Sequence, residues 1–337
     1  ALGALGNLRL NVFDVRVPVV FLIAEVVHGL AADQRGGCGP QRVVGHGDQD
    51  FVAGLAQCLQ GHRDQLRHTV TQVDRFGVEV HDAAVLVVVH NGGTCRVEAA
   101  GIVVINPNNP TGAVYPRSVL KQIVDVAREH GLVVFSDEIY EKITYDGAEA
   151  INMATLTGDD VLCLTFSGLS KAYRVCGYRA GWVAITGPKK DAASYLEGIH
   201  LLASMRLCSN VPAQHAIQTA LGGYQSINEL IVPGGRLYEQ RTLAHKMLNE
   251  IDGISCTSAD GALYLFPKID VERFDITDDE QFALDLLKSQ KILFSHGRAF
   301  NWKDPDHFRL VFLPDTQTLT SALERLGNFM ADYKQKH

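Results

Sequence analysis

One lysine and one arginine, close together in the sequence, could hold an aldehyde cofactor that carries a phosphate group. Lys171 follows the apolar run Val161–Phe166, which is typical of a buried strand, and small residues turn the chain between them. A lysine amine can form a Schiff base with an aldehyde, and Arg179 could bind a phosphate through its planar, bidentate fork. Alone the pair is weak evidence, because a lysine after a serine is usually a solvated surface residue.

A strand–helix–strand pattern lies ahead of this pair. The apolar run Ile102–Ile105 predicts a short strand, and Leu132–Phe135 predicts the next one. Between them, Pro116 stands where a helix can begin, Gly131 stands just past its end, and the apolar residues keep helical spacing. Such a unit places its two strands in parallel, joined by a right-handed crossover.

Polar residues follow each of these strands. The first strand leads into the loop 106–112, which contains Asn109, and the second is followed by Asp137. The prolines and asparagines of the loop predict a rigid, turned conformation. Ligands of open α/β sheets bind outside the carboxyl ends of the strands, so we expect Asn109, Asp137 and Lys171 to converge there.

The chain after Arg179 is predicted to be mostly helical, up to a smaller α+β region that begins near residue 235. The predicted helices are 189–204, 212–221, 238–251, 279–287 and 316–333, and the predicted strands are 254–257, 262–266, 292–295 and 308–313. The last of these strands contains Arg309 between apolar neighbours. A buried arginine needs an anion, which makes Arg309 a candidate binding residue.

Four separated motifs occur in the order and rough spacing of a known family. They are Asn-Pro-Asn-Asn-Pro-Thr-Gly at 106–112, Ser-Asp-Glu-Ile-Tyr at 136–140, Ser170-Lys171 with Arg179, and Phe308-Arg309. Over about residues 101–337 the chain resembles the fold-type I, pyridoxal-phosphate-dependent aminotransferases of class I and II. The stretches 204–215 and 261–268 resemble the bacterial glutamate–pyruvate (alanine) aminotransferases more than the aspartate enzymes.

The resemblance implies an α/β fold, the PLP-dependent transferase fold type I. It has a mostly parallel central sheet flanked by helices and a smaller α+β C-terminal domain. Residues 101–234 would form the large, cofactor-binding domain and 235–337 the small domain, while 1–100 are an atypical N-terminal segment without an assignment. The family further implies a homodimer with its active site at the subunit interface.

The resemblance also implies roles around pyridoxal 5′-phosphate. Lys171 would hold the cofactor and then act as the general base. Asp137 would keep the ring nitrogen protonated through a charge-assisted hydrogen bond. Asn109 and Tyr140 would donate hydrogen bonds to the phenolic oxygen, and Tyr140 is counted with Lys171 and Asp137 among the catalytic residues.

Two arginines complete the implied site. Arg179 would bind the cofactor phosphate with help from the hydroxyl of Ser170. Arg309, with Asn109 beside it, would bind the substrate α-carboxylate so that the Cα–H bond stands perpendicular to the ring.

Each of these residues also has a plainer interpretation. Asp137 could cap a helical turn, and Asn109 could simply hold its loop. Tyr140 could be a half-buried core aromatic, and Arg179 could pair with a surface carboxylate. Tyr264 is interpreted only as a packing aromatic. The four motifs outweigh these alternatives because they occur together and in one order.

Residues 1–100 differ in kind from the rest, because all the lysines, tyrosines, tryptophans and methionines lie beyond them. The valine-rich run 85–89 predicts a strand. Ahead of the Asn-Pro loop the family has a glycine-rich phosphate turn, a ring-stacking aromatic, a tyrosine that reaches the partner subunit and a substrate-site glycine. None of these can be placed here. The sequence leaves open a separate domain, a divergent segment or a stretch outside the natural reading frame.

The composition of the chain argues against several classes of function. A chain of 337 residues, 46% apolar and 20% charged, predicts a globular protein of two domains. Its net charge of -7 argues against a nucleic-acid partner. The seven cysteines form no C-x-x-C pair, so neither a metal site nor a disulfide framework is expected. We expect no membrane span, and a cytoplasmic location.

The resulting hypothesis is an aminotransferase that moves an amino group between an L-amino acid, with alanine as the expected donor, and 2-oxoglutarate by a ping-pong route. Its partners would be a small amino acid and a 2-oxo acid. The alternatives are an aspartate or aromatic aminotransferase, a carbon–sulfur β-lyase, or a catalytically impaired chain that lacks the N-terminal phosphate cradle.

Overall fold

The computed structural model describes residues 101–336 and, ahead of them, the backbone of the segments 9–12, 15–18, 84–90 and 97–100. The strands there are β1 (Arg9–Val12), β2 (Val15–Pro18), β3 (Ala84–His90), β4 (Val97–Ile105), β5 (Val133–Asp137), β6 (Cys163–Gly168), β7 (Gly181–Thr186), β8 (Ile254–Ser255), β9 (Tyr264–Leu265), β10 (Lys268–Ile269), β11 (Ser295–His296) and β12 (Phe308–Val311). The helices are α1 (Arg117–His130), α2 (Ala154–Thr157), α3 (Ala193–Met205), α4 (Val211–Gly222), α5 (Arg236–Asn249), α6 (Val271–Phe274), α7 (Asp279–Gln290) and α8 (Thr316–Asp332).

The largest sheet has the strand order β3-β4-β5-β6-β7. Its central pairs, β4 with β5 and β5 with β6, are parallel, whereas β3 and β7 run antiparallel to their neighbours. The predicted strand at 85–89 lies within β3. β1 and β2 form a separate antiparallel pair.

The predicted strand–helix–strand unit is confirmed. α1 begins after Pro116 and ends at Gly131, whose φ of 63° and ψ of 33° are left-handed values that glycine adopts without strain. One face of α1 is buried through Leu120, Ile123 and Val124, which pack in the same core as strand residues of the sheet. Burying each such side chain contributes roughly 1.5–3 kcal/mol. The helix therefore holds β4 and β5 in parallel.

One strand of this sheet was not predicted. The chain after Arg179 was expected to be helical, but Gly181–Thr186 is the antiparallel edge strand β7, paired with β6 from Gly181↔Gly168 to Thr186↔Cys163. Its side chains are exposed or half-buried, as Val183 at 39% exposure illustrates. Residues 182–185 form a continuous apolar run, which is itself a strand signal, and the prediction did not use it.

The C-terminal region is α+β, as predicted. β12 lies between β11 and β9 in an antiparallel sheet, and β8 pairs with β10. The helices pack through a core that includes Phe282, Phe308 and Leu326. The strands are shorter than predicted: the expected strand 292–295 is observed only as Ser295–His296.

No helix within the described part of the chain is long and apolar enough to span a membrane.

Candidate active site

Lys171 and Asp137 lie beyond the carboxyl ends of two neighbouring parallel strands. Asp137 is the last residue of β5 and is paired with Phe166 of β6. Lys171 follows β6 within a loop that is closed by a hydrogen bond from the Leu169 N–H to the Ala180 carbonyl at 3.0 Å. The sheet therefore brings the amine and the carboxylate to one edge.

The surroundings of Asp137 suit a carboxylate that binds a cationic N–H group. Burial raises the pKa of Asp137, while the Ile139 N–H, which donates to its Oδ1 at 3.1 Å, and the charge of Lys171 oppose that rise. A further positive partner would stabilise the ionised form. The contact with Ile139 is the local turn of the plainer interpretation, and it leaves the other carboxylate oxygen available.

Tyr140 connects Lys171 to the C-terminal region. The Nζ of Lys171 lies 5.7 Å from the centroid of the Tyr140 ring, and the Tyr140 hydroxyl is 2.5 Å from the hydroxyl of Tyr264. Burial raises the pKa of Tyr140, the hydrogen bond to Tyr264 adds to the rise, and Arg309 opposes it. Tyr140 is only 3% exposed and stays protonated at neutral pH.

The loop 106–112 is held by two asparagines other than Asn109. The side chain of Asn106 accepts a hydrogen bond from the Tyr115 N–H at 2.9 Å. The Oδ1 of Asn108 accepts from the N–H of Thr111 at 3.2 Å and from its hydroxyl at 2.9 Å. These contacts shape the loop, so the plainer interpretation of Asn109 is not required.

Arg309 is held on several sides. Its Nη1 donates to Oδ1 of Asn109 at 2.8 Å and its Nη2 donates to Oγ of Ser295 at 3.3 Å. Its guanidinium carbon lies 4.7 Å from the ring centroid of Tyr264 and 4.6 Å from that of Phe300. Its Nε is buried without a hydrogen-bond partner among the described residues. A guanidinium fixed in this way is prepared to bind a carboxylate.

Arg179 occupies a different environment. It has a left-handed φ of 52°, its side chain is exposed, and its Nη1 donates to the Cys176 carbonyl at 2.7 Å. It lines a cavity of about 830 Å³ together with Ser209, Asn210 and Gln214, next to the start of α4. Lys171 and Asp137 are not part of this lining. Ser170 is half-buried beside Lys171.

Glu138, next to Asp137, is a buried acid that the sequence interpretation overlooked. It is 2% exposed, and its Oε1 accepts hydrogen bonds from the Ser136 hydroxyl and the Met153 N–H, both at 2.9 Å. Its Oε2 is buried without a partner among the described residues. Burial raises the pKa of Glu138.

The structure thus brings the candidate residues into two connected groups and leaves two apart. Lys171, Asp137 and Tyr140 form one group, and Asn109 and Arg309 form the other. Tyr264, which sequence analysis treated as packing, contacts both groups; its presence in the stretch 261–268 was the only signal. Arg179 and Ser170 lie outside these contacts.

Comparison with known proteins identifies the family. The model of the class I and II aminotransferases matches residues 89–326. The chain belongs to this family, and its α/β fold is that of the fold-type I aminotransferases, as the resemblance implied. The match begins 12 residues ahead of the predicted start at 101, and β4 crosses that position.

Three similar proteins illustrate the relationship. An alanine aminotransferase of Mycobacterium tuberculosis is 63% identical over 234 residues, which are 69% of this chain and 54% of the relative. The glutamate–pyruvate aminotransferase AlaA of Escherichia coli K12 is 57% identical over 235 residues, 70% of this chain and 58% of the relative. A crystal structure of an Escherichia coli aminotransferase superposes with a TM-score of 0.69 at 57% identity, covering 70% and 58% of the two chains. The chain therefore spans little more than half the length of the curated relatives it matches.

Proposed function

We propose that this chain acts as a pyridoxal-phosphate-dependent aminotransferase that moves an amino group between alanine and 2-oxoglutarate. The two relatives named above support the substrate pair, since they carry the names alanine aminotransferase and glutamate–pyruvate aminotransferase. The observation that carries the proposal is Arg309. Two rings, Asn109 and Ser295 hold its guanidinium, its Nε is buried without a partner among the described residues, and a second N–H on each Nη is left to bind an acid.

The residues at the sheet edge fit the proposed cofactor. An amine, a buried carboxylate and a protonated phenol lie together at Lys171, Asp137 and Tyr140. They would hold the aldehyde carbon, the ring nitrogen and the phenolic oxygen, respectively. Pyridoxal phosphate, when bound, supplies a ring that withdraws electrons from the Cα of the amino acid.

The chain's own residues would move and hold the protons. The Lys171 amine would take the proton from Cα and return one to the cofactor carbon. Asp137 would hold a proton on the ring nitrogen, because a nearby cation stabilises its ionised form. The Oδ1 of Asn109 accepts from Arg309, which leaves its Nδ2 free to donate to the phenolic oxygen.

Substrate orientation would come from Arg309. Both substrates of the proposed reaction carry an α-carboxylate, which a fixed guanidinium binds through two parallel hydrogen bonds. Holding the acid rigidly would align the Cα–H bond for transfer to Lys171 and favour reaction through orientation. In the ping-pong sequence, the amino acid and the 2-oxo acid would use the same guanidinium in turn.

A second candidate is a chain that binds carboxylates without turnover. The exposure of Arg179, together with its bond to the Cys176 carbonyl, favours this alternative, since a phosphate needs several converging donors. Ser170 and Arg179 remain the proposed phosphate partners.

The test uses the purified chain with added pyridoxal phosphate. We expect a yellow protein whose visible band is lost on borohydride reduction, with the label on Lys171, and amino transfer from alanine to 2-oxoglutarate faster than from aspartate or phenylalanine. Lys171→Ala should abolish both, whereas Lys189→Ala, at an exposed lysine, should change neither. Full turnover in Lys171→Ala would refute the assignment. A colourless chain that still binds 2-oxoglutarate would favour the second candidate.

The proposed assembly is a homodimer in the cytoplasm, with domains at 101–234 and 235–337. Large apolar side chains on α3 and α4 support a subunit contact, since Leu201, Met205, Val211 and Leu221 are 48–52% exposed. Light scattering should give the mass of two chains. A monomer with full activity would contradict the dimer.

A further inference from the structure

Tyr264 is the side chain that contacts both halves of the candidate site. It belongs to β9, is 6% exposed, and lies next to β12 in the C-terminal sheet, where Tyr264 is paired with Val311. Its ring faces the guanidinium of Arg309 at 4.7 Å, and its hydroxyl is 2.5 Å from that of Tyr140. A residue needed only for packing would not require both polar contacts.

We propose that Tyr264 is a positioning residue that acts on both halves of the candidate site, at the guanidinium of Arg309 and at the hydroxyl of Tyr140. The inference rests on the proposed function, because it takes Arg309 as the carboxylate-binding group. It assigns separate tasks to the two parts of the side chain: the ring orients the guanidinium, and the hydroxyl orients Tyr140.

The ring acts on Arg309 by electrostatics. The face of an aromatic ring attracts a cation, and the attraction is strongest where water is excluded. Phe300 lies on the guanidinium at 4.6 Å as well, so the two rings restrict its plane. A carboxylate that approaches the N–H groups not bonded to Asn109 or Ser295 therefore meets a guanidinium that is already oriented, and less conformational entropy is lost on binding.

The hydroxyl acts on Tyr140 through the direction of the hydrogen bond. If Tyr140 is to donate its proton to an acceptor beside Lys171, its oxygen must be the acceptor of the bond from Tyr264. Hydrogen bonds in such a chain polarise one another, which makes Tyr140 the stronger donor. Tyr264 therefore contacts Arg309 through its ring and makes Tyr140 a stronger donor through its hydroxyl.

Tyr145 provides a matched control within the same core. Its ring lies 4.5 Å from the guanidinium carbon of Arg241, and its hydroxyl donates to the Ala262 carbonyl at 3.0 Å. It combines a cation contact with a buried hydroxyl bond, yet neither contact involves Arg309 or Tyr140. Tyr145→Phe therefore reports what the loss of a buried hydroxyl does by stability alone.

The first measurement uses the chain without cofactor and titrates it with 2-oxoglutarate in a calorimeter. Tyr264→Leu removes the ring and should weaken binding by about three- to tenfold. Tyr264→Phe keeps the ring and should stay within about twofold of the wild type. Tyr145→Phe should leave the affinity unchanged. Equal affinities for wild type and Tyr264→Leu would overturn the role of the ring.

The second measurement follows the visible absorbance of the chain with bound pyridoxal phosphate as a function of pH. A weaker donor at the phenolic oxygen leaves that oxygen more negative, which favours the protonated form. Tyr264→Phe should raise the pH midpoint by about half a unit, roughly a threefold change, in the same direction as Tyr140→Phe. The double variant should move no further than Tyr140→Phe alone, because both act through one hydroxyl.

The outcomes separate this inference from the proposed function. A wild type that binds the cofactor and 2-oxoglutarate, with Tyr264→Phe at an unchanged midpoint, would overturn the role of the Tyr264 hydroxyl and leave the proposed function standing. Additive shifts in the double variant would do the same. A wild type that takes up neither ligand, or stays colourless, would contradict the proposed function and with it the inference.

Discussion

The candidate site has an arginine at each end, and the two arginines differ in how firmly neighbouring residues hold them. At one end, Arg309 is held by Asn109, Ser295 and two aromatic rings, with its Nε buried. At the other, Arg179 is exposed and donates to a backbone carbonyl. A group that is already oriented loses less entropy on binding, so the first end should bind its anion with little rearrangement, and the second should depend on further partners.

The two ends also differ in where their binding residues lie along the chain. Every residue that holds Arg309 lies between 109 and 309, within the segment that matches the aminotransferases. In the family the glycine-rich phosphate turn stands ahead of the Asn-Pro loop. No match for it can be placed in this sequence, and that region lies largely outside the described residues. Helix ends and backbone N–H groups contribute much of an anion's binding, and an arginine alone does not replace them.

The largest expected effect is at Arg309, the arginine that several neighbouring residues hold in place. Arg309→Met should weaken binding of 2-oxoglutarate by roughly 100-fold, because truncating one partner of a buried charge pair costs about 2–5 kcal/mol. Calorimetric titration measures it, with the exposed Arg325→Met on α8 as the control for charge. A loss of less than about threefold would show that the two ends do not differ as described.

A smaller effect is expected at the open end. Arg179→Ala should lower the affinity for pyridoxal phosphate by about tenfold, as one charge-assisted hydrogen bond is lost. The free energy of unfolding should change by less than about 0.5 kcal/mol, since the side chain is exposed. Absorbance titration measures the affinity for pyridoxal phosphate, and urea unfolding measures the free energy of unfolding. A marked loss of stability would mean that Arg179 is structural.

The partner of Arg309 allows the comparison to be refined. Asn109→Ala removes the acceptor at 2.8 Å and should weaken 2-oxoglutarate binding by about fivefold, with the rings still in place. The loop should remain folded, because Asn106 and Asn108 hold it. Binding as poor as that of Arg309→Met would indicate that the rings alone do not orient the guanidinium.

The smallest effect concerns Glu138, beside the sheet edge. Burial raises its pKa in the folded state, so its contribution to stability is complete below the unfolded pKa and is lost as the pH rises through the folded value. Glu138→Gln should remove that part of the pH dependence and leave a flatter curve of unfolding free energy as the pH rises above the unfolded pKa of a glutamate. Unfolding free energies with the same pH dependence in the wild type and in Glu138→Gln would contradict this prediction.

The parallel strands could be predicted, and the candidate residues could be named, because both depend on local patterns. The apolar runs and the glycine that ends α1 identify the crossover, and the four motifs name Asn109, Asp137, Lys171 and Arg309. Each of these signals spans only a few residues and needs no knowledge of distant partners.

The remaining features depend on contacts between distant residues. Tyr264 contacts Tyr140 across 124 residues, and nothing in the composition of 261–268 indicates that its hydroxyl finds another hydroxyl. β7 contains a continuous apolar run at 182–185, but only its pairing with β6 shows that this run is an exposed edge strand. The motif that contains Arg179 likewise does not indicate that its side chain is exposed.

The bond between Asn109 and Arg309 spans 200 residues, whereas Lys171 and Arg179 lie in one hairpin connection between β6 and β7. Closing a long loop costs more entropy than closing a short one, and such contacts form only once the intervening chain is in place. During synthesis the lysine hairpin can fold while the last strand, β12, has yet to emerge. A nascent chain would thus have Lys171 within its folded hairpin before Arg309, the proposed carboxylate-binding residue, has been synthesised.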